Sequence, residues 1–179
     1  IDGALELHQR HPADTFVGCE ITSYFPEDGC KVHLLVYGLN EEQFREIQDV
    51  RRDIYRFRDY LRAEGLACSV AHATYNINGQ LRIDTLEKLI LLFDHFEGIN
   101  GARTRMYNHA WTRALQSLTP EKVDELYARH GIEPWSRTPW IKGFTGGSDD
   151  HAGLFIGKTF TLCEDATVDE FLEKLRAKE

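Results

Sequence analysis

Between Asn40 and Ala71 the chain writes a helix and then, with almost no interval, a buried strand. Asn40 is a good N-cap with Gln43 three residues on, and Phe44, Ile47, Ile54, Phe57 and Leu61 fall on one apolar stripe. The spacing predicts a helix from about Glu41 to Glu64, closed by Gly65 at the position past its end that favours glycine. The run Leu66-Ala67-Cys68-Ser69-Val70-Ala71 is short and apolar throughout, as in a strand covered on both faces. A stretch of this kind commits the chain to helices packed against a sheet.

The same alternation extends in both directions. Strands are predicted over Val17–Tyr24 and Lys31–Leu39, over a short stretch between Asp94 and Asn100, and over Ile156–Leu162. Helices are predicted from Asp84, with Glu87 completing an acidic capping box, through about Phe93, and from about Arg103 to Leu118. Another runs from Thr119-Pro120 to Gly131, and a last one is capped by Thr167 with Glu170 and turns Phe171, Leu172 and Leu175 inward. Strands alternating with helices predict one α/β domain over residues 1–179 with a largely parallel sheet, open or closed into a barrel. In such folds a ligand site lies at the C-terminal ends of the strands, which selects the polar residues to weigh.

Composition narrows the function classes. With 42% hydrophobic and 28% charged residues the chain has the make-up of a globular protein, and no apolar run approaches the roughly 20 residues that span a bilayer. The formal charge of −8 argues against an extended nucleic-acid partner, whose phosphates need a basic surface. It leaves room for a small phosphorylated substrate held through metal ions. Cys19, Cys30, Cys68 and Cys163 lack CxxC spacing, which speaks against a zinc ribbon or a disulfide framework and for a reduced cytoplasmic setting. The start, Ile1-Asp2-Gly3-Ala4, carries neither an initiator Met nor a basic-then-apolar leader and reads as a cut.

Four polar points lie on or just after predicted strands: Glu20, His33, His72, and the run Gly146-Gly147-Ser148-Asp149-Asp150-His151. Each has a plain structural reading as well. Glu20 fits a solvated strand face, His33 a hydrogen-bonded core or edge position, and His72 an ordinary loop, while the glycine-rich run fits a polar turn. In extended backbone Asp149 and His151 share a face, so a carboxylate and an imidazole could reach one ion, with Asp149 rather than Asp150 as ligand. Together, Glu20, His33, His72, Asp149 and His151 form a mixed nitrogen and oxygen set suited to zinc, manganese or iron. His8, His11, His95 and His130 are expected to be solvated, and His109 to be structural. Gly157-Lys158-Thr159 lacks the upstream glycine spacing of a phosphate loop.

These residues resemble the PHP (polymerase and histidinol phosphatase) family. The resemblance is carried, in order, by Gly18-Cys19-Glu20-Ile21-Thr22, the strand with His33, Val70-Ala71-His72, Phe96-Glu97-Gly98-Ile99-Asn100-Gly101, and Gly147-Ser148-Asp149-Asp150-His151. It implies a distorted seven-stranded α/β barrel of PHP type, incomplete here, binding two or three divalent metals. Glu20 would bridge them, and His33, His72, Asp149 and His151 would be further ligands, with Glu20 and His72 also serving catalysis. The implied activity is hydrolysis of phosphomonoesters or phosphodiesters by a metal-activated water. The family's opening His-x-His strand and Thr-Asp-His turn do not occur, so the resemblance implies a site completed by a missing N-terminal segment or a second chain. The family's Ala-His-Pro is Ala71-His72-Ala73 here. Two other readings stand beside it: a non-catalytic PHP-like module that binds a phosphorylated ligand or a partner protein, and a mononuclear zinc hydrolase using His72, Asp149 and His151.

Overall fold

The computed structural model describes residues 1–164 and 166–178, and all structural statements concern these. In chain order they form α1 (Asp2–Arg10), β1 (Gly18–Tyr24), β2 (Lys31–Tyr37), α2 (Glu41–Val50), α3 (Ile54–Ala63), β3 (Ala67–Ala71), α4 (Ile83–Leu92), β4 (His95–Asn100), α5 (Arg105–Gln116), α6 (Pro120–His130), β5 (Gly143–Gly147) and α7 (Val168–Ala177). The α/β class is as expected. The sheet is open, with its strands in sequence order and β1 and β5 as the two edges.

The expected largely parallel sheet is instead mixed. β1 pairs antiparallel with β2 and β2 antiparallel with β3, whereas β3, β4 and β5 run parallel. The reason for the first reversal lies between Phe25 and Cys30. Gly29 adopts φ +71°, Asp28 Oδ1 accepts the Cys30 N–H, and Phe25 N–H donates to Cys30 O at 2.9 Å. A tight connection of this kind can only return the chain antiparallel.

The expected long helix is two. Ser23 Oγ donates to Arg51 O, Arg51 Nη1 donates to Thr22 O, and Asp53 Oδ1 accepts the N–H groups of Tyr55 and Arg56 as a new N-cap. The apolar stripe survives the break: Ile47, Ile54, Phe57 and Leu61 are all fully buried. Arg82, rather than Asp84, stands at the N-cap of α4, without a side-chain bond, and Glu87 pairs with Arg129 and His130. The Thr119-Pro120 start of α6, its Gly131 end, and the Thr167–Glu170 capping box of α7 are formed.

Ile156–Leu162, expected as a strand, is irregular. Gly153 and Gly157 take positive φ, and the Thr161 hydroxyl, not a backbone ladder, bonds both N–H and C=O of Gly146 on the edge strand β5. β5 itself was hidden by its three glycines. Gly143 packs under the His95 ring so closely that a Cβ there would lie 2.3 Å from it, the kind of approach that explains glycine inside a strand.

The sheet has two unlike faces. Val32, Leu34, Val36, Val70 and Phe96 point into the main core, which the helices α2 to α6 cover. The other face carries Glu20, His33, Ser69, His95, Glu97 and Thr145, by the register Thr22↔His33↔Ala71 and Glu97↔Thr145. Part of this face is closed by α7, where Leu172 and Leu175 pack with Ala67, Phe16 and Tyr37. The base of the sheet is pinned by buried Asp94, paired with Lys142 at 3.2 Å and Lys178 at 2.6 Å. His95 and His130, expected to be solvated, are held inside: His95 is buried, and His130 Nε2 meets Glu87 at 2.8 Å. His109 is exposed on α5. None of the four cysteines is disulfide-bonded. Among the described residues, no helix is long and apolar enough to cross a membrane.

Candidate metal centre

β1, β3, β4 and β5 all run toward one end of the sheet, and β2 runs away from it. His33 therefore sits at the beginning of its strand, yet at the same end as His72, which follows β3. Glu20 lies one row deeper on β1, opposite Leu35, and on the same face as His33. Simple alternation would put His72 on the other face from Ala71 and His33. The backbone prevents this: His72 has φ +29°, a conformation L-residues rarely hold without support. The support is Glu97, whose Oε2 accepts the His72 N–H at 2.8 Å, and Tyr75, whose N–H donates to His72 O.

The result is a three-residue cluster. Glu20 Oε1 lies against His33 Nδ1 and 3.9 Å from His72 Nε2, and the two imidazoles meet edge to face with centroids 5.1 Å apart. One ligand atom from each of the three residues lies within 4.8 Å of the others, close enough to share one ion. The His33 and then the His72 imidazole hold the Glu20 carboxyl far below the usual carboxylate range, against the opposing effect of burial. Glu20 is thus an anion at neutral pH, with its side chain 35% exposed, while His72 is buried.

Asp149 and His151 are placed differently. Asp149 follows β5 at φ +48°, so the extended backbone on which the two would share a face is not adopted. Its buried carboxylate accepts from Asn100 Nδ2 at 3.2 Å and from Arg103 at 3.3 Å. The His151 side chain is 85% exposed and turns back on Asp149, its Nδ1 3.1 Å from Asp149 O. Asp150 takes the N–H groups of Ala152 and Phe155 and so holds the turn. Glu20, His33 and His72 are brought together; Asp149 joins them only through neighbours, and His151 stands apart.

The sequence alone assigns those neighbours no role, although Glu97 and Asn100 belong to the stretch Phe96–Gly101 that carries the resemblance. Glu97 is buried, and its Oε2 accepts both His72 N–H and Asn100 Nδ2 at 2.8 Å. Burial, only partly offset by these two donors, raises its pKa. Gly147 makes room for the carboxylate, since a Cβ there would lie 2.9 Å from Glu97 Oε1. Arg103 stacks on Tyr75, with its guanidinium carbon 3.7 Å from the ring centroid, and Tyr75 meets His72 edge-on. A closed circuit of contacts, His72, Glu97, Asn100, Asp149, Arg103 and Tyr75, thus ties the loops after β3, β4 and β5 together. The available signal was Glu97 itself, a carboxylate inside an apolar strand like Glu20. No family model and no curated protein sequence matches the chain.

Proposed function

We propose that the chain is a metal-dependent phosphoesterase of the PHP kind, hydrolysing a small phosphomonoester or phosphodiester. The observation that carries this reading is the convergence of Glu20, His33 and His72 at the end of the sheet. Two imidazoles and one carboxylate suit zinc, manganese or iron. A divalent ion held there would lower the pKa of bound water and polarise a phosphoryl oxygen. Glu20 brings the negative charge, His33 and His72 bring imidazole nitrogens, and Glu97 fixes the backbone on which His72 is carried. In this reading the open sheet is the larger part of a distorted seven-stranded barrel, with β1 and β5 as the edges that further strands would join.

For two or three ions the three clustered ligands are too few. Asp149 would exchange its bonds to Asn100 and Arg103 for an ion, His151 would turn inward, and other ligands would come from a preceding segment or a second chain. The 179 residues alone are therefore expected to turn over slowly. The reading is tested by hydrolysis of 4-nitrophenyl phosphate and its bis-ester with added manganese, for this chain and for one extended at its start. Hydrolysis should require the metal, rise in the extended chain and vanish in Glu20→Ala. Turnover that ignores both manganese and Glu20 would sink it.

A mononuclear zinc hydrolase is the second reading, and one observation favours it: among the described residues, the one group of three or more such ligands that meets is Glu20, His33 and His72. Its centre would use these residues rather than His72, Asp149 and His151. Saturation at one ion in the extended chain separates it from the first reading.

A further inference from the structure

Beside His72 the surface folds in to a cavity of about 360 Å³, lined by His72, Thr74, Tyr75, Asn76, Arg103, Tyr107 and Asn108. In a chain of net charge −8, this lining contains no carboxylate and one guanidinium. The groups still free to bond there include the donors of Asn76 and Arg103. Asn108 is already committed to the backbone of Asn100, and Asn76 Oδ1 to the Leu81 N–H, which leaves the Asn76 amide N–H. Arg103 uses one nitrogen on Asp149, while its buried Nε has no partner. The guanidinium is also fixed: it lies flat on the Tyr75 ring, and that ring rests against the His72 imidazole. A planar cation held in this way is suited to bidentate recognition of a carboxylate or phosphate. Tyr75 and Tyr107 line the same cavity, so an aromatic group placed there has phenol rings as neighbours.

We propose that this cavity selects substrates whose organic half carries a second anion on a flat ring, with Arg103 as the specificity-determining residue. The proposal rests on the phosphoesterase reading for the position of the scissile group, which would lie at Glu20, His33 and His72. A single phenol ring separates that centre from the guanidinium, so a substrate spanning both sites needs no more than one ring between its two anions.

Binding, rather than turnover, tests this, with three probes titrated calorimetrically into the manganese-supplemented chain: benzylphosphonate, 4-(phosphonomethyl)benzoate and benzoate. The carboxylated phosphonate should bind about tenfold more tightly than benzylphosphonate, the gain expected from a charge-assisted hydrogen-bonded contact. That ratio should fall to near one in Arg103→Gln and recover in part in Arg103→Lys, with circular dichroism confirming that both variants fold. Equal affinities in the wild type, or a preference that survives in Arg103→Gln, would overturn the proposal. Benzoate separates the two readings. If the carboxylated phosphonate binds no more tightly than benzoate, both through Arg103, the cavity stands and the phosphoryl assignment falls. If no probe binds in an Arg103-dependent way, the cavity assignment falls.

Discussion

His72 joins two demands that a side chain seldom meets at once: a strained φ and a ligand geometry. Its backbone is held by Glu97, so Glu97→Ala should loosen the imidazole even though the carboxylate bonds the backbone N–H of His72 and not its ring. Removing a group that orients a ligand typically costs 10–100-fold in metal affinity, and leaving the buried N–H unpaired costs roughly 1–3 kcal/mol of stability. Calorimetric titration with zinc and urea unfolding measure the two effects. Full retention of both would show that His72 is held by something else. His151→Ala should leave the affinity for a single ion unchanged, because that side chain faces solvent. At the other end of the sheet, burial drops the His95 pKa from its ordinary 6.5 to about 4. The unfolded chain takes up a proton below pH 6.5 that the native state refuses. Stability is therefore lost as pH falls from 6.5 toward 4, by roughly 3 kcal/mol at the lower limit. Comparing urea unfolding at pH 7 and pH 4.5 in wild type and His95→Leu checks this, and an equal loss in both would remove His95 as its source.

The elements show what could be read in advance and what could not. The α6 start and stop, the α7 capping box and the buried strand β3 were legible because caps, glycines and apolar runs act locally. The break between α2 and α3 was not, because it depends on contacts between Arg51 and β1 across a long sequence separation. Asp53 was the local sign of it. Asp53→Ala should cost about 1 kcal/mol as a lost N-cap, measurable by chemical unfolding; no loss would mean that the Arg51 contacts alone set the break. β5 was hidden because Gly143 and Gly147 answer to His95 and Glu97 on the neighbouring strand, and Gly146 to Phe160. The same holds for the site. Glu20, His33 and His72 could be named from strand placement, whereas their supports, Glu97, Asn100 and Arg103, depend on which loops the parallel half of the sheet brings together.

At the scale of the molecule, the mixed sheet divides the labour between its faces. The face buried under α2 to α6 carries the stability: Phe57 is fully buried there, and Phe57→Ala should destabilise by about 3–5 kcal/mol. The opposite face is apolar where α7 covers it, polar beyond that, and ends in the cluster of Glu20, His33 and His72. Because β2 runs against its neighbours, the first residues of one strand meet the last of another at that cluster. The most direct test of the account is anomalous diffraction from crystals of this chain grown with zinc, alongside Glu20→Ala crystals treated in the same way. One strong peak is expected within bonding distance of Glu20, His33 and His72, weakened or absent in the variant. A clean map at that position in the wild type, or a peak undiminished by Glu20→Ala, would contradict it.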